Sequence, residues 1–190
     1  MNTALSPQQK LVAAVDNYFK LSPILLEDMD ALLDEENDSQ HWRHNFIRAS
    51  AALTEGYAHC LRDMCAVASR VEREAAELTK EETVVIRSPR RFGANDRIKL
   101  TLSAAYKLFK LQPAPHFGGN EWERAKGVLG KRHLLMHPKT PADLDVSDDL
   151  WEGIREDITW LMLRCMRTTL TLDDDVAAAL ERLRRGREEV

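Results

Sequence analysis

From Trp42 onward the apolar residues recur at steps of three or four: Trp42, Phe46, Ala49, Leu53, Tyr57, Leu61, Met64, Ala68, Val71, Ala75 and Leu78. A strand alternates with period two, so this spacing fits only a helix with one apolar face. It predicts a single long helix over 42–78. A chain dominated by such a helix must bury the stripe against other helices, which makes an up-and-down helical bundle the economical fold.

The remaining segments supply the partners. Ser6-Pro7 and Ser22-Pro23 each join a capping hydroxyl to a proline suited to the first helical position, predicting two short helices, about 7–20 and 23–36. The acidic cluster Asp34 to Asp38 then interrupts the pattern. Ile98, Leu102, Ala105 and Phe109 mark another helix, with Asn95 as its cap and Gln112 to Gly119 as its end. Asn120 is expected to cap a helix through Trp122, Ala125, Leu129, Arg132 and Met136, stopped before Pro138 because the residue preceding proline avoids the α region. Pro141 and the acidic stretch Asp143 to Asp149 form a linker, with Ser147 as cap. Trp151, Ile154, Ile158, Leu161 and Cys165 then mark the last core helix, and Asp173 to Arg187 an exposed terminal one. The region 79–95 stays open: Thr79 and Glu82 match a capping box, while Val84-Val85-Ile86 before Ser88-Pro89 fits a short extended piece equally well.

At 190 residues and 44% hydrophobic content the chain suits one sizeable core. Cys60, Cys65 and Cys165 are odd in number and form no C-x-x-C pair, so they are expected to be reduced core fillers. The polar N-terminus and the lack of a run of about 20 apolar residues point to a soluble, cytoplasmic protein with no membrane partner. Gly-rich phosphate loops, Ser-His-Asp arrangements and paired catalytic carboxylates are absent as patterns, which removes most enzyme classes. The charge is segregated: net -7 over 1–86, +9 over 87–139 and -6 over 140–190. A basic segment inside an acidic protein reads either as solvated helix faces or as a phosphate-binding surface.

The basic segment ends in Lys131-Arg132-His133-Leu134-Leu135-Met136-His137-Pro138-Lys139-Thr140. Histidine titrates near neutrality, so His137 can take a proton from a ribose 2′-hydroxyl or return one to a leaving 5′-oxygen. Arg132 stays charged and can hold the phosphate as negative charge grows on it. That chemistry needs no metal and no cofactor. Five residues apart on a straight helix, the two side chains point about 140° from each other. They converge only if the helix unwinds before Pro138 or if each works with a second chain. The plainer alternative is that both cations merely favour the helix C-terminus.

His133 and His137 also have the i, i+4 spacing of H-E-x-x-H zinc sites, but Leu134 stands where the glutamate belongs and no third ligand is suggested, so no metal site is expected. Glu55 lies at the edge of the long stripe and either positions a motif arginine or forms a surface ion pair. Arg87, Arg90, Arg91, Arg97 and Lys99, with Phe92 among them, either guide RNA or form a solvated loop.

The decapeptide resembles the signature of the HEPN superfamily, an arginine preceding a histidine by four to six residues near a helix end. Trp122 upstream, the His137-Pro138-Lys139 stop and the Asp143-Leu144-Asp145-Val146-Ser147-Asp148 stretch are similar to bacterial members, as is the helix from Phe46-Ile47-Arg48-Ala49-Ser50 to Glu55-Gly56-Tyr57. The resemblance implies an all-α, HEPN-like bundle over 41–170, with accessory helices at 1–40 and a C-terminal helix at 171–190. It also implies a metal-independent endoribonuclease of the toxin or antiviral-defence kind, formed as a homodimer that joins two motifs. On this expectation Arg132, His137 and His133 are catalytic, Lys131, Lys139, Arg90 and Arg91 bind RNA, and a cognate antitoxin or defence partner completes the system. The alternative is a non-catalytic HEPN-like module for dimerisation and for binding RNA, nucleotides or a partner protein.

Overall fold

The computed structural model describes residues 6–33, 38–70, 76–111, 116–165 and Thr168. Six helices occur among them and no strand: α1 (Pro7–Leu33), α2 (Gln40–Ala68), α3 (Lys80–Arg87), α4 (Ala94–Leu108), α5 (Asn120–Met136) and α6 (148–165). Single 3-10 turns at Pro89–Arg91 and Pro141–Leu144 join α3 to α4 and follow α5. The all-helical expectation holds. α2 is the central element, packed by α1 on one side and by α3, α4 and α5 on others. The proposed terminal helix at 173–187 lies outside the described residues.

The N-terminal segment is one helix, not two. Ser6 and Gln9 cap its start reciprocally, as Ser6-Pro7 suggested. Pro23 then lies inside it. A proline removes one helical donor and crowds the carbonyl four residues back. Here its ring faces solvent, while Val15 and Tyr18 before it and Met29 after it are buried in the shared core. Ser22 is not a cap: its hydroxyl shares a buried 2.9 Å hydrogen bond with that of Tyr57. Packing on both sides thus outweighs the local proline cost.

The cap of α2 is Ser39, whose hydroxyl accepts from the Trp42 amide at 3.3 Å. The stripe residues Trp42, Phe46, Leu53, Tyr57, Leu61, Met64 and Ala68 are buried as expected. The helix ends at Ala68, ten residues short of the periodicity. Leu78 is no longer helical yet still packs on the core, which is why spacing alone ran too far; Val71 and Ala75 are outside the described residues.

The open region resolves in favour of the capping box. The Thr79 hydroxyl accepts from the Glu82 amide at 3.2 Å, and the Glu82 carboxylate accepts from the Thr79 amide at 2.7 Å. Asn95 and Asn120 are not caps. Gly93 and Gly119, extended at φ/ψ of -64°/165° and -90°/169°, already lead into α4 and α5, so both asparagines sit within the first turn. The last core helix is as expected, with Trp151, Ile154, Ile158, Leu161 and Cys165 buried and Trp151 edge-on to Trp42 and Phe46. Its cap Ser147 accepts from the Leu150 amide.

All three cysteines are buried thiols outside any disulfide, on α2 and α6. Burial pushes their thiols up, that of Cys165 to about 12. No described helix is long and apolar enough to cross a membrane.

Glu82, only 3% exposed, also receives the Ser103 hydroxyl and the Lys107 ammonium at 2.8 Å, tying α3 to α4. Burial alone would raise its carboxyl, but the hydrogen bonds from Lys107, Ser103 and the Thr79 amide outweigh it and hold the group below its ordinary 4.5. A carboxyl depressed in the folded state contributes stability above its unfolded pKa and loses it as pH falls through the folded one. Glu82→Gln should therefore cost about 1–3 kcal/mol at neutral pH. Urea titrations should also show the wild type losing this advantage progressively below about pH 4.5, whereas the variant's stability changes less over that range.

Candidate active site at the end of helix α5

Helix α5 buries Trp122, Ala125, Val128, Leu129 and Leu135, then turns its final residues outward. Its termination depends on the segment that follows. The amides of Asp143 and Asp145 close the 3-10 turn onto the Thr140 and Ala142 carbonyls, but the carbonyls of residues 143–146 receive no backbone N–H among the described residues. Side chains answer them instead. Lys131 donates to the carbonyls of Asp143 and Asp145 at 3.0 and 2.6 Å, and His44 bonds that of Leu144. Gln40 both donates to and accepts from Val146, and Arg43 adds a 2.7 Å bond to the same carbonyl. Arg43, itself buried, forks onto Asp38 and reaches Asp148. The Asp143 carboxylate closes the turn by accepting from the Lys139 and Thr140 amides, which hold its pKa below the ordinary value.

This lock sets the motif. His137 leaves the helical path at φ -135°, ψ 58°, and its amide still closes on the carbonyls of His133 and Leu134. The unwinding anticipated before Pro138 is therefore present. It brings His137 beside His133, their ring centroids 5.1 Å apart and both residues exposed. It does not join His137 to Arg132. Arg132 faces α2, where its guanidinium meets the Glu55 carboxylate at 3.4 Å, each side chain about one third exposed (31% and 34%). Glu55 thus stands against the motif arginine in a long, solvent-reached pair.

The expected site residues separate into different roles. Arg132, His133, His137 and Lys139 surround the end of α5. Lys131 does not stand free for RNA: it is 9% exposed and its ammonium is committed to two carbonyls. Arg90 and Arg91 are exposed on the 3-10 turn between α3 and α4. His59 faces Asp63 at 3.4 Å, and His41 bonds Asn45. Among the described residues, no three His, Cys, Asp or Glu side chains converge to hold a metal ion.

Arg48 was not singled out from the sequence. It donates to the Leu135 carbonyl at 3.0 Å, one residue before α5 ends, while its buried Nε has no hydrogen-bond partner among the described residues. Gln40, Arg43 and His44 were likewise unremarked as partners of the connecting segment. Their spacing at i, i+3 and i+4 does put them on one face of α2, which was the available signal.

Compared with known protein families, curated proteins and solved structures, the chain has no match in any of the three.

The geometry separates lock from motif in a measurable way. Lys131→Met leaves two carbonyls of the connecting segment without their donor and should cost about 1–3 kcal/mol in thermal or urea unfolding. Affinity for any anionic ligand at Arg132 should change less than twofold. A large affinity loss with unchanged stability would return Lys131 to the binding surface.

Proposed function

We propose that the chain is a metal-independent endoribonuclease of the HEPN kind, with Arg132 and His137 as its working pair in a homodimer. The observation that carries this reading is the local end of α5. His137 leaves the helix exposed, and among the described residues its side chain makes no hydrogen bond and Arg132 is held only by a long contact to Glu55. In the proposed reaction an imidazole removes the 2′-hydroxyl proton, the 2′-oxygen attacks phosphorus, and the 5′-oxygen leaves with a proton from a second imidazole. The strand then ends in a 2′,3′-cyclic phosphate. Arg132 holds the phosphate and the charge that develops on it, and His133 lies close enough to orient His137.

Two chains supply two histidines, one as base and one as acid. Apolar surface next to the motif supports such pairing: Leu134, Met136, Leu144 and Leu150 are all exposed large hydrophobics. The host setting that goes with this reading is a cytoplasmic toxin or antiviral-defence enzyme, restrained by a cognate antitoxin or partner. Arg90, Arg91 and Lys139 would steer the RNA. A non-catalytic binding module is favoured by one observation, the turn of Arg132 toward Glu55 rather than His137.

His137→Ala should cleave RNA about 10²–10⁴ times more slowly than wild type while binding it nearly as well. Arg132→Lys should lose both binding and rate, because a point charge cannot replace the planar fork. Cleavage should survive EDTA. Light scattering should report twice the chain mass, and Leu134→Asp combined with Met136→Asp should halve it. A His137→Ala protein that cuts at the wild-type rate, free of contaminating nuclease, transfers the assignment to the binding module.

A further inference from the structure

One to two turns along α2 from the Arg132 contact, α2 and α4 enclose a cavity of about 160 Å³. Glu55, His59 and Arg62 line it from α2, and Arg97, Ile98 and Thr101 from α4. Glu55 belongs to both places, since its carboxylate is the group that Arg132 meets. At about 1.5 Å of rise per residue, the wall from Glu55 to Arg62 runs roughly 10 Å along α2. That is the reach of an adjoining nucleotide.

Two arginines in this wall keep donors to spare, and Thr101, 1% exposed, lies beside them. Arg97, half-buried, has no ion pair or hydrogen bond among the described residues. Arg62 bonds Asp63 at 2.9 Å through one nitrogen, leaving further donors. The cavity is smaller than the roughly 300–1,000 Å³ of sites for drug-sized molecules, so it suits one ring system. Its chemistry also selects. A bare phosphate would meet the Glu55 carboxylate, whereas a nucleotide can turn a base amine to Glu55 and its phosphate to the arginines.

We infer that this cavity is a nucleotide-binding subsite, holding the base next to the phosphate at Arg132. The inference rests on the ribonuclease reading for its place in a strand, but its occupant can be measured without cleavage. Arg62 and Arg97 take the phosphate, Glu55 and Thr101 contact the base edge, and Ile98 with Ala58 offers the ring an apolar wall.

The test titrates the wild type, Arg97→Gln and Thr101→Val with each of the four nucleoside 3′-monophosphates and with inorganic phosphate, followed calorimetrically. The wild type should bind at least one nucleotide about tenfold tighter than inorganic phosphate, and Arg97→Gln should lose about tenfold of that. Thr101→Val, nearly isosteric, should alter the ranking of the four bases. Nucleotides that bind no better than phosphate, or an Arg97→Gln protein that binds them like wild type, overturn the subsite. The two readings fail separately. RNA cleavage under His137 control with Arg97→Gln unchanged in nucleotide affinity removes the subsite and keeps the nuclease. Nucleotide binding through Arg97 without any RNA cleavage does the reverse.

Discussion

A backbone that joins two helices through a short turn beside the core must find partners for its remaining carbonyls among side chains, because those left unanswered are costly. Residues 143–146 impose that constraint here, and Gln40, Arg43, His44 and Lys131 meet it from two different helices. The same connection sets where α5 stops and where α6 starts, and so it decides the position of everything at that end of the bundle. Arg43 is the centre of the arrangement. It is 3% exposed, pairs with Asp38 and Asp148, and lies 5.8 Å from the Trp151 ring. Those hydrogen bonds and charges raise its pKa against the opposing effect of burial.

The basic residues near the motif therefore differ in availability, though their sequence neighbourhood is the same. Lys131 and Arg43 are held by several short bonds in buried positions, and removing either leaves polar groups stranded. Arg132 has one long, half-solvated pair, and such surface pairs are worth about 0–1 kcal/mol. An incoming phosphate can displace Glu55 at little cost, whereas nothing of similar charge can displace the carbonyls on Lys131. A single step along one helix thus divides a cation committed to the fold, Lys131, from one left in a long surface pair, Arg132.

Periodicity made the all-helical fold legible, because burial of a stripe is a local pattern written at three- and four-residue steps. The buried stripe of α2 and the residues of α6 were readable on that basis, and the stop before Pro138 was readable from the proline itself. Local signals failed where distant partners outvoted them. Ser22-Pro23 looked like a helix start, but Tyr57, 35 residues on, takes the serine hydroxyl and packing carries α1 through the proline. At the site, the unwinding at His137 was legible from Pro138. The commitment of Lys131 was not, since its acceptors are backbone carbonyls that any residue possesses. The meeting of Arg132 with Glu55 was foreseeable only as one of two options, because it depends on how α5 lies against α2.

The buried cysteines give the fold an internal clock. Cys60 and Cys65 lie on α2, at the centre of the bundle, and Cys165 near the described end of α6. A thiol shielded from water and held protonated reacts with an alkylating reagent only when its surroundings open. Modification at Cys165 ahead of the α2 pair would time the departure of α6 alone, while simultaneous loss of all three would time collapse of the whole bundle. Native cysteines thus discriminate peeling from melting without any engineered label.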